Sequence, residues 1–140
     1  FNTVAGKKIA FLGWAFKKDT NDTRETPAMY VADYLLEETA RITVYDPKVN
    51  YLQMLSDVNH LGTRDEAINE KLLTCSSDPY ETCHDAHAVA ILTEWDEFKS
   101  YDWQRIYNSM KKPAFVFDGR NIVDAEKLRE IGFKVFLIGK

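Results

Sequence analysis

The chain has 140 residues, enough for one domain with a single core between helices and a sheet. Its 45% hydrophobic and 29% charged content excludes a disordered chain, and its net charge of -4 argues against nucleic acid as the main partner. No apolar run approaches the roughly 20 residues that span a bilayer, and Lys7 and Lys8 lead into an apolar run without the features of a signal peptide.

Lys7 to Gly13, KKIAFLG, reads as a buried strand ending in glycine. After a polar loop, Ala28, Val31, Ala32, Leu35 and Leu36 recur at helical spacing over 27–38, with Thr26 as the expected cap and Pro27 in the first turn. Ile42 to Tyr45 is a second strand, stopped by Asp46-Pro47. This strand–helix–strand unit is the repeating brick of a parallel sheet. Residues 48–70 read poorly: Tyr51, Leu52, Leu55 and Val58 allow one short helix ending near Gly62. Leu72 to Ser76 is expected as a strand near an edge, and Asp78-Pro79 opens a short helix. Ala88 to Leu92 is a strand, Asp102 caps a helix running to Met110, and Ala114 to Phe117 is a fifth strand. Asp124 starts a last helix that Gly132 ends, and Phe133 to Ile138 closes the sheet.

Six strands with intervening helices predict an α/β, three-layer, doubly wound (Rossmann-like) and mostly parallel sheet, folded as a single domain over 1–140. The chain begins almost at its first strand and stops just after its last, as an excised domain or a compact whole protein would. In such sheets ligands bind beyond the carboxyl ends of the strands, where strand order reverses. With the order 3-2-1-4-5-6, the loops that meet there are 14–25, 93–96 and 119–121.

The first loop is not a dinucleotide cradle. A Gly-x-Gly-x-x-Gly turn lets backbone approach a pyrophosphate, whereas here Gly13 is followed by Trp14, Ala15 and Phe16. Asp46 stands where an acidic residue would bind a ribose, but without the glycines it is expected to cap the turn with Pro47. The loop offers side chains instead. Lys17 and Arg24 flank the switch point beside Phe16, just ahead of a helix N-terminus, and each alone reads equally as part of a solvated charged loop. Arg120 follows a buried strand behind Gly119, a place for an anion-binding fork or for an ion pair with Asp118. Trp95 fits a core anchor better than a ligand platform.

Familiar catalytic sets are missing. Cys75 and Cys83, the only cysteines, lack Cys-x-x-Cys spacing and read as buried thiols of a cytosolic protein. His60, His84 and His87 show no metal-ligand spacing with them, and no nucleophile elbow or Walker loop occurs. The pattern is a binding face without an evident catalytic group.

KKIAFLGWAFKKDTNDTRETP at 7–27, YDP at 45–47, TEWDEF at 93–98 and FDGRN at 117–121 together resemble the C-terminal UDP-sugar-binding domain of the UDP-glucose 6-dehydrogenase family, nearest to its animal members. The resemblance implies part of an enzyme that oxidises UDP-glucose twice with two NAD⁺, through a cysteine-bound thioester, to UDP-glucuronate. It implies an NAD-binding domain and a central helical region outside this chain, a cytoplasmic location, and a homo-oligomer, a hexamer built from dimers. The catalytic cysteine, lysine and aspartate would lie in those other parts, and neither Cys75 nor Cys83 matches the cysteine motif. By the same resemblance Phe16, Lys17 and Arg120 contact the UDP-sugar, and Arg24 reaches toward the NAD pyrophosphate. Trp14 replaces a common phenylalanine and Thr26 a common serine; both keep the chemical character. Two other readings of the same crevice are a stand-alone nucleotide-binding regulator and an assembly module, the latter supported only by Tyr51, Tyr101 and Trp103 if these are exposed.

Overall fold

The structure, a computed structural model, describes residues 3–138. Its sheet has six parallel strands: β1 (Lys8–Leu12), β2 (Arg41–Tyr45), β3 (Leu73–Cys75), β4 (Ala88–Ile91), β5 (Phe115–Asp118) and β6 (Lys134–Leu137), in the order β3-β2-β1-β4-β5-β6. The reversal between β1 and β4 is the one expected from the sequence. Apart from Lys8 at the start of β1, both strands are apolar and buried throughout, because parallel strands at the centre of a sheet are covered on both faces. In register, Ile9 faces Ala88 and Leu12 faces Ile91.

Helix α1 (Pro27–Glu37) connects β1 to β2, and α2 (Tyr51–Leu61) with α3 (Glu66–Leu72) connects β2 to β3. Right-handed crossovers place these three on one face. The turn to the other half of the sheet sends α4 (Pro79–Cys83), α5 (Trp103–Ser109) and α6 (Ala125–Ile131) to the opposite face. The packing agrees: α1 touches α2 and α2 touches α3, while α4 touches α5 and α5 touches α6. The core includes Phe11, Leu12, Leu36, Ile42, Met54, Ile91, Phe98 and Ile106, all buried.

Four local expectations differ from what forms. Residues 48–70 hold two helices, the second entered by Asp65, whose carboxylate accepts from the Ala67 amide. Its sequence EAINEKL buries Asn69 rather than an apolar side chain, so it leaves little hydrophobic period to read; Arg64 and Asn59 satisfy that asparagine. Thr26 sits at the N-cap of α1 but its hydroxyl gives the helix no bond, donating instead to the Trp14 carbonyl at 2.7 Å. Cys75 is exposed, because β3 is the edge strand and only three residues long; Cys83 is buried, and burial pushes its thiol up to about 12. Finally, Trp103 is buried against Phe133, with Tyr51 and Tyr101 half-buried, so these aromatics form no exposed assembly surface.

Candidate functional site

The three loops predicted to meet do meet, and side chains and backbone tie them together. β1 is followed by Gly13, with φ +103°, where a Cβ would lie 2.5 Å from the Thr93 Cβ and 2.7 Å from its backbone nitrogen. Only glycine lets the first loop cross so close to the second. Thr93, fully buried, then donates its hydroxyl to the Ala15 carbonyl at 2.8 Å.

From Trp14 to Phe16 each backbone polar group has a partner. The Trp14 and Ala15 amides donate to Asp46 Oδ2 at 2.7 and 2.9 Å. The Phe16 amide donates to the Asp22 carbonyl at 2.7 Å. The carbonyls of Trp14, Ala15 and Phe16 accept from Thr26, Thr93 and Arg120 respectively. Asp46 does cap its own turn, accepting from the Lys48 and Val49 amides, and it also takes the Trp95 indole N–H at 3.2 Å. The position that would hold a ribose in a dinucleotide domain is thus occupied by the protein's own donors. The same bonds consume the loop amides that would cradle a pyrophosphate. Trp14 does not obstruct the crevice: its ring is buried, with its N–H on Asp57 at 2.9 Å.

What projects from this fixed loop is the pair Phe16 and Lys17, both exposed. Lys17 makes no ion pair among the described residues, whereas Lys18 is pulled to the second loop, its amide on Glu94 at 3.1 Å and its ammonium on Asp96 at 3.3 Å. Asp96 opens a 3-10 turn, Asp96–Ser100, whose Glu97 carboxylate accepts from both the Tyr45 and Tyr101 phenols. Burial and that carboxylate raise the Tyr45 hydroxyl to about 12, so both phenols stay protonated donors.

Arg120 is set by Asp118. The Asp118 carboxylate, fully buried, accepts the backbone amides of residues 120 to 123 and so shapes the turn. It receives the Arg120 amide, and the guanidinium makes no ion pair with it. Instead Arg120 Nε donates to the Leu92 carbonyl at 3.0 Å and Nη2 to the Phe16 carbonyl at 2.6 Å. One side chain therefore crosses all three loops, with three of its five N–H groups left over for an anion.

Arg24 is elsewhere. Its guanidinium grips Asp22 through Nε at 3.1 Å and Nη2 at 3.0 Å, and it lines a cleft of about 280 Å3 with Gln53, Asp57 and His60 of α2. The structure brings Phe16, Lys17 and Arg120 together and does not bring Arg24 to them. A cleft of about 360 Å3 between α5 and α6 contains none of the four. Asp19, Glu25 and Asn121 hold positive φ in these loops, a conformation that Asp and Asn accept more readily than Glu does. Asp46 and Thr93 are the residues whose weight the sequence does not show. A polar threonine directly after an apolar strand and opposite a glycine is the one signal available for Thr93. Among the described residues no cluster of ligands could hold a metal ion, and no helix is long and apolar enough to cross a membrane.

The family model described as "UDP-glucose/GDP-mannose dehydrogenase family, UDP binding domain" matches residues 10–125. The chain belongs to that family. As a member of it, the domain is 51% identical over its whole length to UDP-glucose 6-dehydrogenase of Pongo abelii, and 55% identical to UDP-glucose 6-dehydrogenase 1 of Oryza sativa subsp. japonica. It spans 29% and 31% of those proteins' lengths. Animal and plant relatives are about equally similar. Among solved structures, the NDP-N-acetyl-D-galactosaminuronic acid dehydrogenase of Methanosarcina mazei Go1 aligns over 99% of this chain and 26% of its own, with a TM-score of 0.76 at 27% identity.

Proposed function

We propose that residues 1–140 form the UDP-sugar-binding jaw of an NAD-dependent UDP-glucose dehydrogenase, with the NAD-binding and central parts supplied by the rest of a longer polypeptide. The observation that carries this reading is the Arg120 bridge. It aligns Phe16 and Lys17 on a rigid rim and keeps free N–H groups beside them, which suits a diphosphate flanked by a base and a sugar. The family membership supports the substrate class, and the relatives named above are UDP-glucose 6-dehydrogenases. In this reading Phe16, Lys17 and Arg120 contact UDP-glucose or UDP-glucuronate. Arg24 leaves Asp22 to reach an NAD pyrophosphate presented from outside the chain. The whole enzyme is a cytoplasmic homo-oligomer, a hexamer built from dimers.

The jaw contributes alignment and charge, not bond-making groups. Holding reactants in register is worth about 7–11 kcal/mol in favourable intramolecular cases. NAD⁺, when bound, supplies the hydride acceptor; this chain binds and orients the sugar nucleotide.

The test is a two-dimensional amide NMR titration of the 140-residue chain with UDP-glucose, UDP and NAD⁺ in turn. Shifts from the two uridine ligands confined to 14–24, 93–96 and 119–121, and lost in Arg120→Ala, are expected. A well-dispersed spectrum that no uridine nucleotide moves would overturn the reading for this chain.

A further inference from the structure

We propose that the end of the sheet where the strands begin, opposite the crevice, carries a binding site for a polyphosphate chain, held by a row of Arg41, Lys7, His87 and Lys111. The site does not rest on the sugar-binding reading, so either can fail alone.

The fold gathers these residues from four separate segments. They stand at or just before the starts of β2, β1, β4 and β5, which are neighbours in the sheet. Backbone bonds tie the segments side by side. The Arg41 amide donates to the Lys7 carbonyl, the His87 amide to the Lys8 carbonyl and the Lys111 amide to the Ala86 carbonyl, each at 2.9 Å. The Phe115 amide donates to the His87 carbonyl at 3.3 Å. With neighbouring strands about 4.8 Å apart, four of them make a row about 14 Å long. Arg41 and Lys111 are exposed, and Lys7 and His87 are half-buried. The imidazole feels the company it keeps: burial first, then the charges of Lys7, Lys111 and Arg41, hold His87 below the ordinary histidine range.

A cation at this end of the sheet has an ordinary task, which is to meet the carbonyls left over where helices end. Lys8 and Lys112 perform it. Lys8 Nζ donates to the His84 carbonyl at 2.6 Å, and Lys112 Nζ to the Tyr107 and Met110 carbonyls at 2.5 and 2.8 Å. Glu81 and Asp85 lie beside Lys8, and Asp85 also faces His84 at 3.4 Å. Arg41 and Lys111 do neither: among the described residues their side chains make no hydrogen bond and no ion pair. Like charges gathered in a chain whose net charge is -4 raise the free energy of the folded state until a counter-charge arrives.

The chemistry of the row selects the ligand. Arg41 offers a planar fork and the lysines offer mobile point charges, both suited to phosphate oxygens. A chain of phosphates places several charges along its length and can meet the whole row, as one carboxylate cannot. Nothing apolar accompanies the cations. None of the exposed large hydrophobic side chains lies in the segments 4–7, 38–41, 84–87 or 110–114. A protein partner wants an apolar centre to its interface, and a single-stranded nucleic acid wants rings to stack on. The row fits a compact polyanion instead.

The test is a titration of the Arg120→Ala chain, in which the crevice has lost its anion fork, with inorganic tripolyphosphate, followed by amide and imidazole NMR. Shifts at Lys7, Arg41, His87 and Lys111 are expected, with the His87 titration moving upward because a bound anion favours the imidazolium. Adding Arg41→Ala or Lys111→Ala should weaken binding about fivefold or more, whereas Lys127→Ala, which removes an exposed cation on α6, should change it less than about twofold. ATP at the same ionic strength separates two sources of the ligand. Affinity at least equal to that of tripolyphosphate assigns the tail of a nucleoside triphosphate, and weaker affinity assigns the free chain. Sodium sulfate that reproduces the shifts at equal ionic strength overturns the proposal, since only screening is then at work. A hexaglutamate peptide that binds more tightly than either phosphate overturns it in favour of an acidic polypeptide. An unmoved His87 titration, or an Arg41 and Lys111 pair of variants no weaker than Lys127→Ala, overturns it as well.

Discussion

Asp46 and Arg24 show how little a residue's type reveals about its job. Asp46 carries five hydrogen bonds from three separate segments, so removing its carboxylate strands donors at the foot of the crevice. Asp46→Ala is expected to cost on the order of 2–4 kcal/mol, read as the change in urea unfolding free energy, because bonds to a charged acceptor are worth more than neutral ones. A loss below half a kilocalorie per mole would mean the loop is held by other means. Arg24 and Asp22 behave differently, since their pair lies in solvent. The Arg24 guanidinium, through its side-chain hydrogen bonds first, holds the Asp22 carboxyl at about 2 instead of 3.8. A carboxyl depressed on folding stabilises the protein above its ordinary value and loses that contribution as pH falls toward 2. Solvent screening keeps the contribution small. In Arg24→Ala the Asp22 titration, followed by carboxyl NMR, should return toward 3.8. A carboxyl still titrating near 2 in that variant would show that the backbone amide, not the guanidinium, sets it.

At the scale of elements, the close passage of the loops that follow β1 and β4 is the joint on which the site depends. Gly13→Ala places a methyl against both the Thr93 side chain and its peptide nitrogen, in a backbone conformation that disfavours any side chain. The expected loss is about 2–4 kcal/mol by chemical denaturation, combining overpacking with backbone strain. Removing the Thr93 side chain as well should not restore it, since the backbone nitrogen stays in place; a rescued double variant would show that only the side chain clashed. The order of strands and the loops that meet were legible because central strands announce themselves as apolar runs and because the switch point follows from topology. α3 was not legible, since its buried residue is an asparagine whose partners come from α2 and the preceding loop. Nor was the Asp46 hub, whose donors lie 2 to 49 residues away and leave no local pattern. Arg120 was legible as the residue behind Gly119 at the end of β5, but its carbonyl partners are a property of three loops at once.

Across the whole molecule, both sides of the crevice stand on one continuous sheet. The first loop leaves the half built from β1 to β3, and the turn carrying Arg120 leaves the half built from β4 to β6. The halves share the β1–β4 ladder, the Leu92 amide bonded to the Leu12 carbonyl, and a single core. Neither half can unfold without exposing the inner faces of the other's central strand, so unfolding should be one transition. The tryptophans make this measurable: Trp14 and Trp95 report on the Asp46 region, and Trp103 on the layer of α5 and α6. Tryptophan fluorescence and far-UV circular dichroism should give coincident urea curves. Under the sugar-nucleotide reading, a saturating uridine ligand should move both curves together, by about 2.7 kcal/mol at a hundredfold excess over its dissociation constant. Curves that separate, with fluorescence changing first, would show the crevice opening ahead of the sheet. The rim that Arg120 holds would then be a loop ordered by its ligand and not a surface prepared for it.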